Sequence, residues 1–112
     1  MNPATHCVAM TTCGNREAAE ALAGNLIRAR LAACIQILPI TSFFEWKGEV
    51  QREDEVLMLM KTRTVLYGSL EKFISEHHEY EVPEVVQLPV NAGLGAYLGW
   101  IDEVTAEAES GS

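Results

Sequence analysis

The run from Val56 to Met60 is apolar at every position, and this feature limits the possible folds more than any other in the sequence. A strand with one face in water alternates apolar and polar side chains, whereas a strand buried on both faces is apolar throughout. Shorter apolar runs at residues 32–35 and 85–86 follow the same pattern. The fold must therefore cover both faces of the central strand, with its own helices or with another copy of the chain.

The spacing of apolar residues elsewhere predicts the element order β-α-β-β-α-β, followed by one more helix. Short apolar runs predict strands, and apolar residues that recur at i, i+3, i+4 and i+7 predict helices. The predicted strands comprise residues 6–12, 32–46, 50–61 and 84–88, and the predicted helices residues 15–31, 64–78 and 94–104. This order is that of the ferredoxin-like α+β fold, in which two helices cover one face of an antiparallel sheet.

Turn and cap residues set the predicted ends of these elements. Asn15 and Thr64 are placed to cap the first two helices, and Lys47-Gly48 predicts a hairpin turn. Pro39 interrupts the second apolar run and indicates an edge strand or a bulge there, because proline has no amide hydrogen for the ladder, and Pro89 is predicted to end the fourth strand.

The composition predicts a single acidic domain. The 112 residues suit one domain, predicted to span 1–112 with an ordered core over 6–105 and a frayed acidic tail over 106–112. The net charge of −8 disfavours nucleic acid and anionic membranes as partners; it either attracts divalent metals or basic partners or serves solubility alone. No stretch approaches the roughly 20 apolar residues that span a bilayer, and the N-terminus lacks the pattern of a signal peptide.

The second face of the predicted sheet indicates self-assembly, because two helices cover only the first face. An exposed apolar face of that size is typical of an interface, so the sequence predicts a homo-oligomer. The alternative is that the last helix covers part of this face. The predicted interface residues are aromatic residues of the hairpin and apolar residues of the central strand: Phe43, Phe44, Trp46, Val56, Met58 and Met60.

The cysteines Cys7, Cys13 and Cys34 form no C-x-x-C pair, which predicts reduced thiols in a cytosolic protein. Cys34 lies in an apolar strand and is either an inert buried hydrophobe or a soft metal ligand. Cys13 precedes a helix N-terminus, an environment that is predicted to lower its thiol pKa and make it reactive.

Residues 77–84 form the densest polar segment, with two adjacent histidines followed by three glutamates. Adjacent residues on a helix point about 100° apart, so the two histidines are not expected to bind one ion. His77 continues the apolar stripe and is predicted to be packed, whereas His78 is the better candidate for a metal ligand or proton carrier. The glutamates form either a set of hard oxygen ligands or a solvated acidic loop: Glu79, Glu81 and Glu84.

No sequence motif indicates catalysis. The chain lacks a glycine-rich phosphate loop, a G-x-S-x-G elbow and an H-E-x-x-H pair, and His6 is assigned no role. The protein is therefore predicted not to be an enzyme. An acid–base enzyme that uses His78 with a carboxylate remains a less favoured hypothesis.

Five ordered blocks of the sequence resemble the CutA divalent-cation tolerance family, over about residues 8–104. They are residues 30–35, 42–48, 55–62, 77–84 and 97–101. The resemblance implies a cytosolic homotrimer of ferredoxin-like subunits, similar in architecture to the PII signalling proteins, with clefts between subunits. It also implies a role in tolerance of copper and other divalent cations.

The resemblance further implies candidate site residues. Copper ligation in the family is linked to the cysteine of the Leu-Ala-Ala-Cys block, here Cys34, and to the second histidine of the pair, here His78. A third ligand is a cysteine at the end of the first strand, where this chain has Thr11. Cys13 lies two residues on, and it shares the side of Thr11 only if the strand extends that far.

The same resemblance places a ligand-binding cleft between subunits, with the expected lining residues Lys61, Tyr80, Glu84 and Trp46. The leading hypothesis is thus a non-catalytic trimer that binds copper or another divalent cation at its clefts. The alternative is a PII-like signalling or scaffold module that binds a small anion or a partner protein there.

Overall fold

The computed structural model describes residues 3–110, with side chains described through residue 106. Its elements are β1 (His6–Cys13), α1 (Arg16–Arg28), β2 (Cys34–Trp46), β3 (Glu49–Arg63), a 3₁₀ turn (Thr64–Leu66), α2 (Tyr67–His77), β4 (Val85–Val90) and α3 (Gly95–Ser110). The four strands form one antiparallel sheet in the order β2-β3-β1-β4. The predicted ferredoxin-like α+β fold is confirmed.

Helix α1 forms where its cap and apolar stripe predict it. The Asn15 side chain accepts a hydrogen bond of 2.8 Å from the amide of Ala18 and so caps the first turn. The buried stripe of the helix comprises Ala19, Leu22 and Leu26. The helix ends at Arg28, before the predicted residue 31, because the chain reverses direction with Arg30 in the left-handed region at φ 61°.

The alternation of β3 decides which of its side chains face the helices. Val56, Met58 and Met60 lie opposite residues 13, 11 and 9 of β1, and they pack with α1 and α2 in the core. Met58 and Met60 have no exposed surface within the single chain. The prediction that these three residues form the oligomer interface is therefore corrected, because the chain's own helices cover them. Leu57 and Leu59 alternate with them on the second face.

Helix α3 lies over one end of the second face, as the alternative to assembly anticipated. His6 and Arg63 belong to that face and hydrogen-bond to α3, His6 Nε2 to Asp102 at 2.8 Å and Arg63 Nε to the Thr105 hydroxyl at 2.8 Å. The cover is partial, because Leu88 of β4, on the same face, remains 55% exposed.

Strands β2 and β3 extend past β1 as a two-stranded arm, because β1 pairs only with residues 56–63 of β3. Its turn is the predicted one: Lys47 and Gly48 have φ values of 53° and 82°, as a two-residue hairpin turn requires. The aromatic residues Phe43 and Trp46 of the arm are 68% and 61% exposed.

Three predicted element ends need correction. Strand β4 runs through Pro89 to Val90, past its predicted end, because an edge strand tolerates a residue that cannot donate to the ladder. Pro39 lies within β2, which is the other edge strand, as one of its two interpretations required. Thr64 does not cap α2: it begins the 3₁₀ turn, and its hydroxyl donates to the Ala4 carbonyl at 2.9 Å. Helix α3 continues through Ser110 into the predicted frayed tail, whose last two residues lie outside the described residues.

Candidate functional site

The polar groups of the candidate site gather where residues 78–80 cross the end of β1. The ring of His78 holds this crossing from both sides. Its Nε2 donates to the Thr12 carbonyl at 2.6 Å, and its Nδ1 accepts from the Tyr80 amide at 2.9 Å. A carbonyl only accepts and an amide N–H only donates, so these partners define a neutral ring with its proton on Nε2. Both ring nitrogens of His78 are therefore engaged with backbone groups.

Two carboxylates complete this cluster. Tyr80 donates its hydroxyl to Glu55 Oε2 at 2.9 Å, and Glu79 accepts from the Gly14 amide at 2.9 Å. A Cβ at position 14 would lie 3.1 Å from Glu79 Oε1, so the close approach suits glycine. Burial, and then the hydrogen bond to Glu55, raise the pKa of Tyr80 to about 12. The tyrosine is therefore a neutral hydrogen-bond donor at physiological pH.

Cys13 lies beneath this cluster with 2% of its surface exposed. Its Sγ is 3.9 Å from His78 Nε2 and 3.7 Å from Met58 Sδ. Burial, and then the charges of Glu79 and Glu55, raise the pKa of the thiol to about 11. The predicted lowering of this pKa by the helix N-terminus is thus wrong, because burial and two nearby carboxylates outweigh the helix dipole.

A cleft of about 240 Å³ opens between α1 and the end of α2, and Cys13, Asn25 and the residues 77–79 line it. His77 is exposed rather than packed in the core as predicted, because it is the last residue of α2 and extends past the apolar stripe. Its ring stacks on Phe73 with centroids 4.1 Å apart. Its Nδ1 donates to the Phe73 carbonyl at 2.8 Å.

Cys34 lies in a different environment, beside α3. The Lys61 ammonium is 5.8 Å from the ring centre of Tyr97, which in turn stacks on Trp100 at 5.7 Å. Burial, followed by the charge of and a hydrogen bond with Cys34, raises the pKa of Tyr97. Cys34 is half-buried here, which differs from the fully buried strand cysteine that one of the two interpretations required.

The three predicted metal ligands do not come together within one chain. Cys34 pairs with Lys61, which lies opposite Val8, so Cys34 is five β1 positions from Cys13, about 17 Å along the sheet. The odd separation also puts the two thiols on opposite faces. Among residues 3–106, no group of three or more histidine, cysteine or acidic side chains is arranged to hold a metal.

The predicted cleft residues are likewise separated within one chain. Tyr80 belongs to the cluster around His78, whereas Lys61 is six residues along β3 from Glu55, about 20 Å away. Trp46 ends the arm, about 23 Å along the strands from Val56. Glu84 is exposed in the segment before β4.

Several residues of these clusters could not be identified from the sequence. Glu55 begins an apolar strand, and only the tertiary structure brings it to the Tyr80 hydroxyl. The Thr12 carbonyl is a backbone group, so no residue type marks it. His6, assigned no role, is buried against Asp102, 96 positions away in sequence. No spacing rule joins positions so far apart.

Comparison with known proteins covers almost the whole chain. A family model described as CutA1 divalent ion tolerance protein matches residues 7–104. Protein CutA of Mus musculus is 42% identical over 104 residues, which are 92% of this chain and 59% of the relative. The divalent-cation tolerance protein CutA of Thermus thermophilus is 40% identical over 99 residues, 88% of this chain and 96% of that relative. This chain thus spans less than two thirds of the length of the mouse protein.

The fold is also shared with a solved structure of similar sequence. The structure described as the periplasmic divalent cation tolerance protein CutA from Archaeoglobus fulgidus superposes with a TM-score of 0.88 at 35% sequence identity. The superposition covers 89% of this chain and 98% of the other. The two chains therefore share one overall fold over nearly their full lengths.

Proposed function

The chain belongs to the CutA1 divalent ion tolerance family, and on this premise we propose that it is a non-catalytic, homotrimeric protein that contributes to tolerance of copper and other divalent cations. The proposed location is the cytoplasm, on the basis of three free cysteines. Within residues 3–106, no helix is long and apolar enough to cross a bilayer.

The part of the second face that α3 leaves uncovered supports the assembly part of the proposal. Leu38, Val86 and Leu88 lie on this face and are 38%, 46% and 55% exposed in the single chain. Burial of a fully exposed large apolar side chain contributes on the order of 1.5–3 kcal/mol, so covering the exposed part of each of these three contributes roughly 1 kcal/mol. The exposed aromatic residues of the arm add to the area that a second copy would cover. The number of subunits, three, is the one that the family resemblance implies.

The chemistry of the His78 cluster supports a binding role over catalysis. A nucleophile–base pair requires a reactive thiol or hydroxyl beside a histidine with a free nitrogen. Here the Cys13 thiol is held protonated by a pKa of about 11, and backbone groups occupy both nitrogens of His78. The acid–base enzyme hypothesis therefore finds no support in this cluster.

Cation binding at the subunit clefts draws on Cys34 and His78, which the family resemblance relates to copper, and on Cys13, two residues beyond the position of the third ligand. Cys34, His78 and Cys13 carry the thiol and imidazole groups that suit copper and zinc, but His78 can bind a cation only by giving up one of its two hydrogen bonds to the backbone. One chain brings Cys13 and His78 together but leaves Cys34 on the other face of the sheet, so a site that includes all three requires contributions from two subunits. Cys13 must also lose its proton to act as a ligand, which its raised pKa makes costly.

The experiment for assembly is sedimentation velocity at micromolar concentration. The wild-type protein is expected to sediment as a trimer, and Leu88→Glu to dissociate it, because a charge would enter the covered face. Val65→Glu is the matched control: Val65 is 70% exposed and lies in the 3₁₀ turn, outside the strands of the sheet. A wild-type protein that sediments as a folded monomer would contradict the proposal.

The experiment for function is growth under copper challenge in a host that lacks its own member of the family. Expression of this chain is expected to restore growth, and Leu88→Glu to lose the effect together with the trimer. Failure of the folded, trimeric wild-type chain to restore growth would overturn the tolerance proposal and leave the assembly intact.

A further inference from the structure

The three histidines of the chain differ in whether a ring nitrogen is open to a ligand. His6 Nε2 hydrogen-bonds Asp102 Oδ1 at 2.8 Å, and its Nδ1 accepts from the Thr5 hydroxyl at 3.1 Å. His78 is engaged at both nitrogens by the backbone of Thr12 and Tyr80. A metal at either ring would have to displace a hydrogen bond that holds two segments of the chain together. Both rings are therefore structural in this chain.

His77 has the opposite arrangement. Its Nδ1 carries the proton and donates to the Phe73 carbonyl at 2.8 Å, which leaves the lone pair on Nε2. No described residue hydrogen-bonds to this Nε2. Metal-binding histidines characteristically donate their other ring N–H to a backbone carbonyl or carboxylate, which orients the ring and raises its basicity as a ligand. His77 meets this requirement without any rearrangement.

The ring of His77 is also held in place. It stacks on Phe73 with an interplanar angle of 19° and a centroid separation of 4.1 Å, so the ring cannot turn freely about its side-chain bonds. A ligand whose orientation is already set loses little conformational freedom when a cation binds. An exposed histidine with no such contact would lack this advantage.

The cleft beside His77 supplies a second donor. His77 and Glu79 line the same space of about 240 Å³. The Gly14 amide anchors Glu79 through Oε1, and Oε2 receives no hydrogen bond from a described residue. An imidazole nitrogen with a carboxylate oxygen suits zinc or divalent copper, and the net charge of −8 favours the approach of a cation.

We propose that His77, with the Glu79 carboxylate, binds a divalent transition-metal cation in the cleft between α1 and α2, and that His78 clamps residues 78–80 to β1. The site has two protein ligands, with water completing the coordination. The inference takes only the class of cation from the proposed function. It differs from the family resemblance in the ligand, because the resemblance relates copper to the neighbouring His78.

The decisive experiment is a long-range ¹H–¹⁵N NMR spectrum of the histidine rings in the ¹⁵N-labelled wild-type protein, titrated with zinc. Before zinc is added, His77 should show its proton on Nδ1, and His6 and His78 on Nε2. Zinc should then shift Nε2 of His77 and leave the other two rings unchanged. A shift at His78 with none at His77, or no ring shift at millimolar zinc, would overturn the proposal.

Calorimetric titration of zinc into matched variants gives a second readout. His77→Gln is expected to weaken binding at least tenfold, and Glu79→Gln to weaken it by a smaller factor. His6→Gln is the matched control, with an unchanged affinity. His78→Gln should lower the melting temperature but keep zinc affinity within about threefold; if it fails to fold, the wild-type spectrum still decides.

These outcomes separate the two proposals. Zinc-dependent shifts at His77 in a protein that does not restore copper tolerance would contradict the proposed function alone. Restored tolerance by a protein whose His77 ring does not respond to zinc would contradict this inference alone.

Discussion

Thr11 stands directly opposite Met58 in the pairing of β1 with β3, and both side chains are fully buried beneath the helices. The Thr11 hydroxyl has no hydrogen-bond partner among the described residues. Strand β1 extends to Cys13, so Cys13 shares the face of Thr11, as the sequence left open. The position that the family resemblance assigns to a metal-binding cysteine thus faces the core of the single chain.

The orphaned hydroxyl of Thr11 predicts a stabilising substitution. Thr11→Val keeps the shape of the side chain and removes a buried polar group that is unpaired, so we expect unfolding to cost about 1–2 kcal/mol more. Chemical denaturation at a fixed protein concentration measures the change, since the concentration affects the stability of an oligomer.

Thr62→Val is the matched control for this prediction. Thr62 is equally buried, but its hydroxyl donates to the Leu31 carbonyl at 2.8 Å. Its loss should destabilise the protein by about 1–3 kcal/mol, because a carbonyl is left unpaired. If Thr11→Val destabilises the protein by a similar amount, the Thr11 hydroxyl has a partner, such as a buried water.

The raised pKa of Cys13 predicts a loss of stability at alkaline pH. The folded state keeps the thiol proton up to a pKa of about 11, whereas the unfolded state releases it near the ordinary value of 9.0. The contribution is therefore complete below pH 9 and is lost as the pH rises through about 11, amounting to roughly 2–3 kcal/mol.

Denaturation curves across this pH range test the assignment to Cys13. In Cys13→Ala the slope between pH 9 and 11 should decrease, while the part due to Cys7, whose pKa burial also raises, should remain. An unchanged slope in Cys13→Ala would mean that this thiol is not responsible.

Tyr80 is expected to remain protonated well above the pH at which tyrosine ordinarily ionises. Its pKa is raised from 10.0 to about 12, so its hydrogen bond to Glu55 should weaken only as the pH rises through that value. At neutral pH, Tyr80→Phe should destabilise the protein by about 1 kcal/mol through loss of a hydrogen bond to a partly exposed carboxylate.

Near-ultraviolet absorbance of tyrosinate measures this directly. The pKa values of Tyr67 and Tyr97 are also raised, so the folded wild-type protein should form little tyrosinate at pH 10. One full tyrosinate per chain at that pH, missing from Tyr80→Phe, would contradict the prediction.

Replacement by alanine is predicted to change the stability of the protein in opposite directions at two exposed glycines. Gly48 has φ 82° in the turn of the arm, so Gly48→Ala should destabilise the protein by about 1 kcal/mol through backbone strain. Gly68 lies in α2 with open space around its Cβ position, and Gly68→Ala should stabilise the protein by up to about 1 kcal/mol. Thermal unfolding of the two variants compares them, and a shift in the same direction for both would contradict the reasoning.

Local chemistry explains the features that the sequence predicted correctly. Asn15 caps α1 through its own side chain, three residues from the amide that it accepts from. Lys47 and Gly48 form the hairpin turn because both residues adopt the positive φ values that a two-residue turn requires. Such interactions span a few residues, so residue type and spacing suffice to predict them.

Residue types and their spacing are enough to predict the alternation of elements, the ferredoxin-like order and the presence of a strand that is apolar on both faces. Only the packing of the chain shows which face each side chain of that strand occupies, because a run with no polar residue carries no alternation: Met58 faces the helices and Leu59 lies on the second face. It also decided between His77 and His78, since their ring nitrogens are distinguished only by backbone groups that the fold brings to them.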